Sequence, residues 1–359
     1  MLPDSIDPES RVRAVACPDK FRGTLRADEA AAAIAAGLRR GGFDEVIEAP
    51  LADGGEGTLD TLLATLGGSR RVARVTGPLG DPVDAEWGVL SSGVAVVEMA
   101  RASGLALVAR RNDPLRASTR GTGELIAVAR REGFRQIIVA VGGSATTDGG
   151  LAAVEALGWS LQGVEITVAC DVETPFLDAA RIFGPQKGAS AAQIALLTRR
   201  LDKLADNYRQ RTGVDVTTIE GGGAAGGLAG GLAAIGAQLV PGFEAVAEAV
   251  GLEAAFDGAA LVVTGEGKLD ASSLEGKVVG GVLGWASDFG VPHVGVIAGQ
   301  VTDDARAMLE PRADAGVLAL TDRVWQAGEA YQRAALLVEE AAVEAARAAL
   351  ALPPPDPAT

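Results

Sequence analysis

Residues 13–48 read RAVACPDKFRGTLRADEAAAAIAAGLRRGGFDEVIE, and this succession of strand, turn, helix, turn and strand decides the fold class. Residues 13–17 read as a first strand, apolar from Ala14 to Cys17. After the turn PDKFRGT, the stretch 28–40 carries acids in its first turn and arginines in its last, with Gly41 just beyond, as the helix dipole and C-cap rules require. Ala30, Ile34 and Leu38 form its apolar stripe, and residues 45–48 return as a second strand.

The same alternation returns late in the chain, with strands expected at 260–264, 293–297 and 316–320 and a helix at 278–288. Adding the first two strands gives five, enough for a flavodoxin-like sheet. A helix at 59–66 ends at Gly67-Gly68, and there the pattern changes. The runs 71–76, 85–90 and 95–99 are separated by turns, as in an antiparallel meander. Strands at 136–141 and 165–170 follow, interleaved with helices at 123–131, 150–157 and 191–211; a further helix at 244–250 closes this region. The reading is α/β: a discontinuous flavodoxin-like doubly wound domain, 1–67 with 258–359, and a second α/β domain, 68–257, inserted in it, with the active-site cleft between them. The chain ends, including LPPPDPAT, are expected to be mobile tails.

Of 359 residues, 48% are hydrophobic and 22% charged, so two packed domains are affordable in apolar surface. No basic segment followed by an apolar run opens the chain, so neither a secretory signal nor a transit peptide is indicated. The uncharged segment 221–243 has the length of a membrane span, but glycine and alanine dominate it and Gln238 and Pro241 interrupt it, which favours a buried glycine-rich loop and helix. Cys17 and Cys170 give no disulfide framework or zinc spacing, which fits a reducing cytoplasm, and His293 is the single histidine. A net charge of −15 argues against nucleic acid as a partner. Nothing in the sequence fixes the oligomeric state, and a homo-oligomer is compatible with it. Only five of the 32 basic residues are lysines, and Lys20, Lys187, Lys268 and Lys277 sit in or beside glycine-containing turns, where a compact ammonium can hold phosphate as a point charge.

Three glycine-rich segments that combine acids or hydroxyls with glycine follow expected strands: ADGGEGT at 52–58, GGSATTDGG at 142–150 and TGEGKLD at 264–270. Ligands of α/β folds collect at the carboxyl ends of strands, where glycine admits anions close to backbone N–H groups and carboxylates offer oxygen to Mg²⁺. No GxxxxGK[ST] occurs. One GxGxxG, at Gly221, Gly223 and Gly226, leaves a nicotinamide-dependent hydroxyacid dehydrogenase as an alternative, though a helix is expected where the dinucleotide unit needs its next strand. GGSAT is not GxSxG, and a lone histidine beside Pro292 reads as structural. General-base work must then fall to carboxylates or lysine, which favours phosphoryl transfer. A non-catalytic ligand-binding protein on the same fold is the third reading.

Taken together, PDKFRGTL, PLADGGEGT, TGPLGDPV, STRGTGELI, IIVAVGGSATTDGG, ACDVETP, FGPQKGA, GGGAAGGLAGGL and VVTGEGKLD with LEGK resemble, in order, the glycerate kinase family of the bacterial type (type I), from about Val12 to about Gly299. The resemblance implies transfer of the γ-phosphoryl group of ATP, with Mg²⁺, to a hydroxyl of D-glycerate. On the matching positions it implies Asp53, Glu56, Asp148, Asp171, Glu266 and Asp270 as candidate metal ligands or base, with Asp53 and Asp171 leading for the base and Asp148, Glu266 and Asp270 for the metal. It implies Lys20, Arg22, Lys187, Lys268 and Lys277 as anion-binding cations, the pair Lys268 and Lys277 in a catalytic role, and Asp19, Gly54, Gly55, Gly142, Gly143, Ser144, Thr146, Thr147 and Gly265 as substrate or nucleotide contacts. The chain departs from the family's usual PDSFKG and GEGR, keeping a cation nearby in each case. It is also shortened between Gly158 and Val164 and after ETP, features that bear on the substrate.

Overall fold

The computed structural model describes residues 12–108, 112–274, 276–325 and 327–352. The tail LPPPDPAT therefore lies, apart from Leu352, outside the described residues. Eleven strands occur among them: β1 (Arg13–Ala16), β2 (Glu45–Glu48), β3 (Gly68–Thr76), β4 (Pro82–Leu90), β5 (Ala95–Glu98), β6 (Gln136–Ala140), β7 (Glu165–Ala169), β8 (Gln238–Val240), β9 (Ala259–Leu269), β10 (His293–Val301) and β11 (Val317–Ala319). By packing, the chain divides into a unit of residues 1–52 with 247–359 and a unit of residues 53–246.

The first unit holds a parallel five-stranded sheet in the order β11-β10-β9-β1-β2. Numbered within this sheet the order is 2-1-3-4-5, the flavodoxin-like arrangement expected from the sequence. The helix Ala27–Gly41 begins with Asp28 and Glu29, ends with Arg39 and Arg40, and is closed by Gly42 at φ +120°. Glu29 secures its start by accepting the Arg26 N–H at 2.9 Å. Ala30, Ile34 and Leu38 are buried as the stripe predicts. Their partner is the C-terminal helix Ala334–Ala351, and glycine permits the close approach: a methyl at Gly37 would stand 2.3 Å from Glu339 O, and one at Gly41 2.2 Å from Ala346 Cβ.

The second unit holds a six-stranded mixed sheet, β3-β4-β5-β6-β7-β8. The meander β3-β4-β5 is antiparallel, and β5 to β8 are parallel. Trp87, Met99, Leu125 and Val139 lie in its core, with Phe134 set edge-on to Trp87 at 5.7 Å between ring centres. The sequence reading placed the joins between domains at 67/68 and 257/258, whereas packing divides the chain at 52/53 and 246/247. The helix Thr58–Leu66 accounts for most of the first difference. Its buried Leu59 lies so close to β4 that a methyl at Gly88 would stand 2.4 Å from Leu59 Cδ1.

Two local expectations change. The segment 264–270, read as a turn, is largely strand: β9 runs through Leu269 and pairs with β10 as far as Leu269 opposite Val301. Its glycines serve close packing, since a methyl at Gly265 would stand 1.7 Å from Ile297 O and one at Gly267 2.7 Å from Arg22 N. The uncharged stretch 221–243 is a buried glycine-rich helix, Ala224–Ala234, followed by β8; among the described residues no helix is long and apolar enough to cross a membrane. The helix is broken near its start, where Ala225, Gly226 and Gly227 adopt positive φ.

Candidate active site

In the second unit the ADGGEGT segment lies against the carboxyl ends of the parallel strands. A methyl at Gly54 would meet Ala169 Cβ and Gly242 Cα, each at 2.9 Å, and one at Gly142 would stand 2.6 Å from Gly55 Cα. Gly54 also has φ +73°, so two independent constraints demand glycine there. Asp53 is thereby brought beside Asp171, which follows β7: a methyl at Gly242 would touch Asp53 O at 2.1 Å and Asp171 Oδ1 at 2.6 Å. Glu56 is exposed, near Gly143. Gly143 and Ser144 are pinned from the other side, where Leu105 N–H donates to Gly143 O at 2.9 Å and Ala145 N–H to Ser103 O at 3.0 Å.

The two aspartates differ in what they do locally. Asp53 Oδ1 accepts the Gly55 N–H at 3.1 Å, which tightens the turn. Asp171 Oδ1 accepts Gly242 N–H at 2.7 Å and Phe243 N–H at 3.3 Å, capping the helix Gly242–Val250. Gly242 was not among the residues singled out by sequence, because its part is visible only once β8 is placed beside β7.

Asp148, Thr146 and Thr147, further along the 142–150 loop, stand together with Lys187, which ends the 3₁₀ turn Pro185–Lys187. Asp148 Oδ2 accepts from Thr119 N–H at 2.8 Å and Thr119 Oγ1 at 2.9 Å, and Oδ1 from Gly150 N–H at 3.2 Å. Desolvation holds its carboxyl above the ordinary aspartate range against these bonds. The Lys187 ammonium donates to Thr146 O at 2.6 Å, with the side chain only 2% exposed. Thr146 Oγ1 donates to Ala225 O at 3.4 Å, and the Thr147 hydroxyl is buried with no partner. The glycine-rich helix supports this loop, since a methyl at Gly226 would stand 2.0 Å from Thr146 O. The GxGxxG reading lacks its context, because a 3₁₀ turn, Val216–Thr218, and not a strand precedes it.

Burial lowers Lys187 from 10.5 to about 7, with the Asp148 charge acting in the opposite direction. Unfolded chains therefore hold this proton at pH values where the folded chain has released it. Stability from this group should rise with pH between about 7 and 10.5, with a limiting slope of about 1.4 kcal/mol per pH unit. Urea unfolding at a series of pH values should show the slope in the wild type and its loss in Lys187→Met. Equal slopes in the two proteins would remove Lys187 as its source.

In the first unit a second group forms around the end of β9. Asp19 N–H donates to Gly265 O at 2.8 Å, and Asp19 Oδ1 accepts Lys20 N–H at 2.7 Å, so PDKF is fastened to GEGK. Asp270 Oδ1 accepts from Ser272 Oγ at 2.6 Å and Ser272 N–H at 3.0 Å, while Lys277 Nζ donates to the same hydroxyl at 3.0 Å. The Ser272 hydroxyl is the chief cause that holds Asp270 below the usual carboxylate range, with smaller help from the Lys277 and Lys268 charges. Ser272 is a second residue that sequence reasoning passed over. Glu266 belongs to the same strand end. His293 lies at the start of β10 with Nδ1 2.7 Å from Asp314 Oδ2, in agreement with a structural role.

Among the described residues no three His, Cys, Asp or Glu side chains are placed to hold a metal by themselves. Oxygen-rich groups offering one or two carboxylates, beside lysines, suit Mg²⁺ that arrives on a polyphosphate and takes its remaining ligands from phosphate and water.

The family model for the glycerate kinase family matches residues 14–163 and 159–350. The chain is 41% identical over 347 residues to glycerate 2-kinase of Escherichia coli (strain K12), covering 86% of this chain and 91% of that one. It is 39% identical over 370 residues to a glycerate kinase of Halalkalibacterium halodurans, covering 91% and 96%. A crystal structure assigned as glycerate kinase 2 from Salmonella typhimurium LT2 superposes with a TM-score of 0.78 at 35% identity, over 93% of this chain and 97% of that one. The chain belongs to the glycerate kinase family.

Proposed function

We propose that this protein transfers the γ-phosphoryl group of ATP, as its Mg²⁺ complex, to a hydroxyl of D-glycerate, giving phosphoglycerate and ADP. The observation that carries the reading is the seating of Asp53 and Asp171 side by side at the carboxyl ends of the parallel strands, on a loop that glycine alone allows to approach them. A hydroxyl attacking phosphorus loses its proton late, so a carboxylate can accept it without a strongly raised pKa. Of the two, Asp53 is assigned as the base: its Oδ1 accepts one N–H of its own turn, whereas Asp171 Oδ1 accepts two and caps a helix. Lys268 and Lys277, with Lys20 and Arg22, supply positive charge for the phosphates, and Asp270 with Glu266 would hold the metal. Bound Mg²⁺ neutralises charge on the phosphates. Asp148 and Lys187 act at a remove, fixing the loop that carries Gly142 to Thr147.

Incubation with ATP, Mg²⁺ and D-glycerate should yield ADP and a phosphoglycerate that phosphorus NMR assigns to the 2- or 3-position. Excess EDTA should abolish turnover; full activity in EDTA would refute the metal requirement. Lys268→Ala and Lys277→Ala should each lower kcat/KM for ATP by about 10-fold or more, and wild-type values in both would overturn the assignment of these lysines. Binding of ATP and glycerate without turnover would instead favour a non-catalytic protein on this fold.

A further inference from the structure

We infer that Glu98 is a positioning residue, which holds the Asp53–Gly57 turn in its reactive place from the end of β5. This rests on the reading of Asp53 given above. Glu98 is only 1% exposed, yet it is a carboxylate at the carboxyl end of a central strand. Its Oε1 accepts the Gly57 N–H at 2.7 Å and the Leu59 N–H at 3.0 Å. These are first-turn donors of the helix Thr58–Leu66, which have no partner within their own helix. The residue that opens this helix is Gly57, at φ +99°, and it has no side chain with which to cap. Glu98 supplies the missing acceptor from 41 residues away.

The other oxygen is held as firmly. Arg101 Nε donates to Glu98 Oε2 at 2.8 Å, and the same guanidinium reaches Glu86 at 3.1 Å and Asp60 at 3.0 Å. Asp60 lies on the helix that Glu98 caps, so the fork ties helix, strand end and carboxylate into one body. The turn itself is closed by two local bonds, Asp53 Oδ1 from Gly55 N–H at 3.1 Å and Gly55 O from Thr58 Oγ1 at 2.8 Å. Between Glu98 and the Asp53 carboxyl there is thus an unbroken succession of hydrogen bonds and short backbone segments. A buried carboxylate costs desolvation and is retained where it is paired and hydrogen-bonded, as Glu98 is by two N–H groups and the Arg101 guanidinium. An apolar side chain would fill the same core position but leave two N–H groups unbonded and the turn free to shift, and displacements near 1 Å can cost about 10²-fold in rate.

The test uses the full chain with Glu98→Gln, Asp53→Asn, the double variant and Arg101→Lys, read by steady-state kinetics and by amide exchange at Gly57 and Leu59. Glutamine keeps the shape, but whichever way its amide is turned, its NH2 opposes either the Gly57 and Leu59 N–H groups or the Arg101 guanidinium, a conflict that a carboxylate with an acceptor on each side avoids. Expected for Glu98→Gln is a fall in kcat of about 10- to 100-fold with KM for ATP within about 3-fold of wild type, and faster exchange at both amides. Because Glu98 acts through Asp53, the double variant should be no more than about 3-fold slower than Asp53→Asn alone. Wild-type kcat in Glu98→Gln while Asp53→Asn is impaired, or losses that multiply fully in the double variant, would overturn the inference and leave the function untouched. If Asp53→Asn keeps the wild-type rate, the assignment of the base fails by itself; Glu98 then stands only if its variant both slows turnover and frees the two amides. Should Glu98→Gln not fold, Arg101→Lys decides: a kcat loss of about 3- to 10-fold with faster exchange supports the role, and no change in either rejects it.

Discussion

Asp53→Asn should lower kcat by about 10²-fold or more while leaving the fold and the KM for ATP close to those of the wild type. Asparagine keeps a carbonyl oxygen that can accept the Gly55 N–H, so the tight turn survives and only the charge and proton-accepting capacity are removed. Asp171→Asn provides the comparison. Its amide oxygen can still accept the Gly242 and Phe243 N–H groups, so a residue whose work is capping should lose little rate, within about 10-fold. Saturating kinetics on both variants, with circular dichroism to check folding, separates the roles. The opposite ranking would make Asp171 the base, and near wild-type rates in both would exclude the pair.

Gly265→Ala should cost about 3 kcal/mol or more of stability, the range reached when backbone must be pushed apart. The added methyl would stand 1.7 Å from Ile297 O, on the neighbouring strand of the same sheet, with no flexible side chain to move aside. In a unit of this size such a loss corresponds to a Tm lower by roughly 6–12 °C. Gly284→Ala is the control: it lies in the helix Val278–Asp288 with open space where its methyl would go, and should be neutral or stabilising by up to about 1 kcal/mol. If Gly265 served the nucleotide alone, its alanine variant would raise KM and leave Tm unchanged. That outcome would refute the packing account.

Much of the architecture was legible because its causes are local. The helix Ala27–Gly41 announces itself by its acids, its arginines and the stripe Ala30, Ile34, Leu38, and these signals act within a few turns of chain. The five strands of the first sheet and the β3-β4-β5 meander follow from short apolar runs and the turns between them. The three-residue β8 went unread, since a strand so short carries no periodicity. The helix Thr58–Leu66 was recognised but given to the wrong sheet, because its sequence shows an apolar face without saying which surface covers it.

The candidate site divides in the same way. Residue type and neighbouring glycines marked Asp53, Lys268 and Lys277, and the family resemblance marked Asp171, as able to do phosphoryl chemistry, and these are properties a sequence carries by itself. What each acid and cation is bonded to is not such a property. Asp148 meets Thr119 across 29 residues, Lys187 reaches Thr146 O across 41, and Asp171 takes the Gly242 N–H across 71. That Gly265 must also leave room for β10 is visible only with β10 beside β9. The sequence alone determined which chemistry was affordable and the local structure that could bear it. Only the tertiary structure decided which polar groups are consumed in holding the scaffold and which are held in place by it, because hydrogen bonds and close approaches are settled between segments whose distance along the chain says nothing of their distance in space.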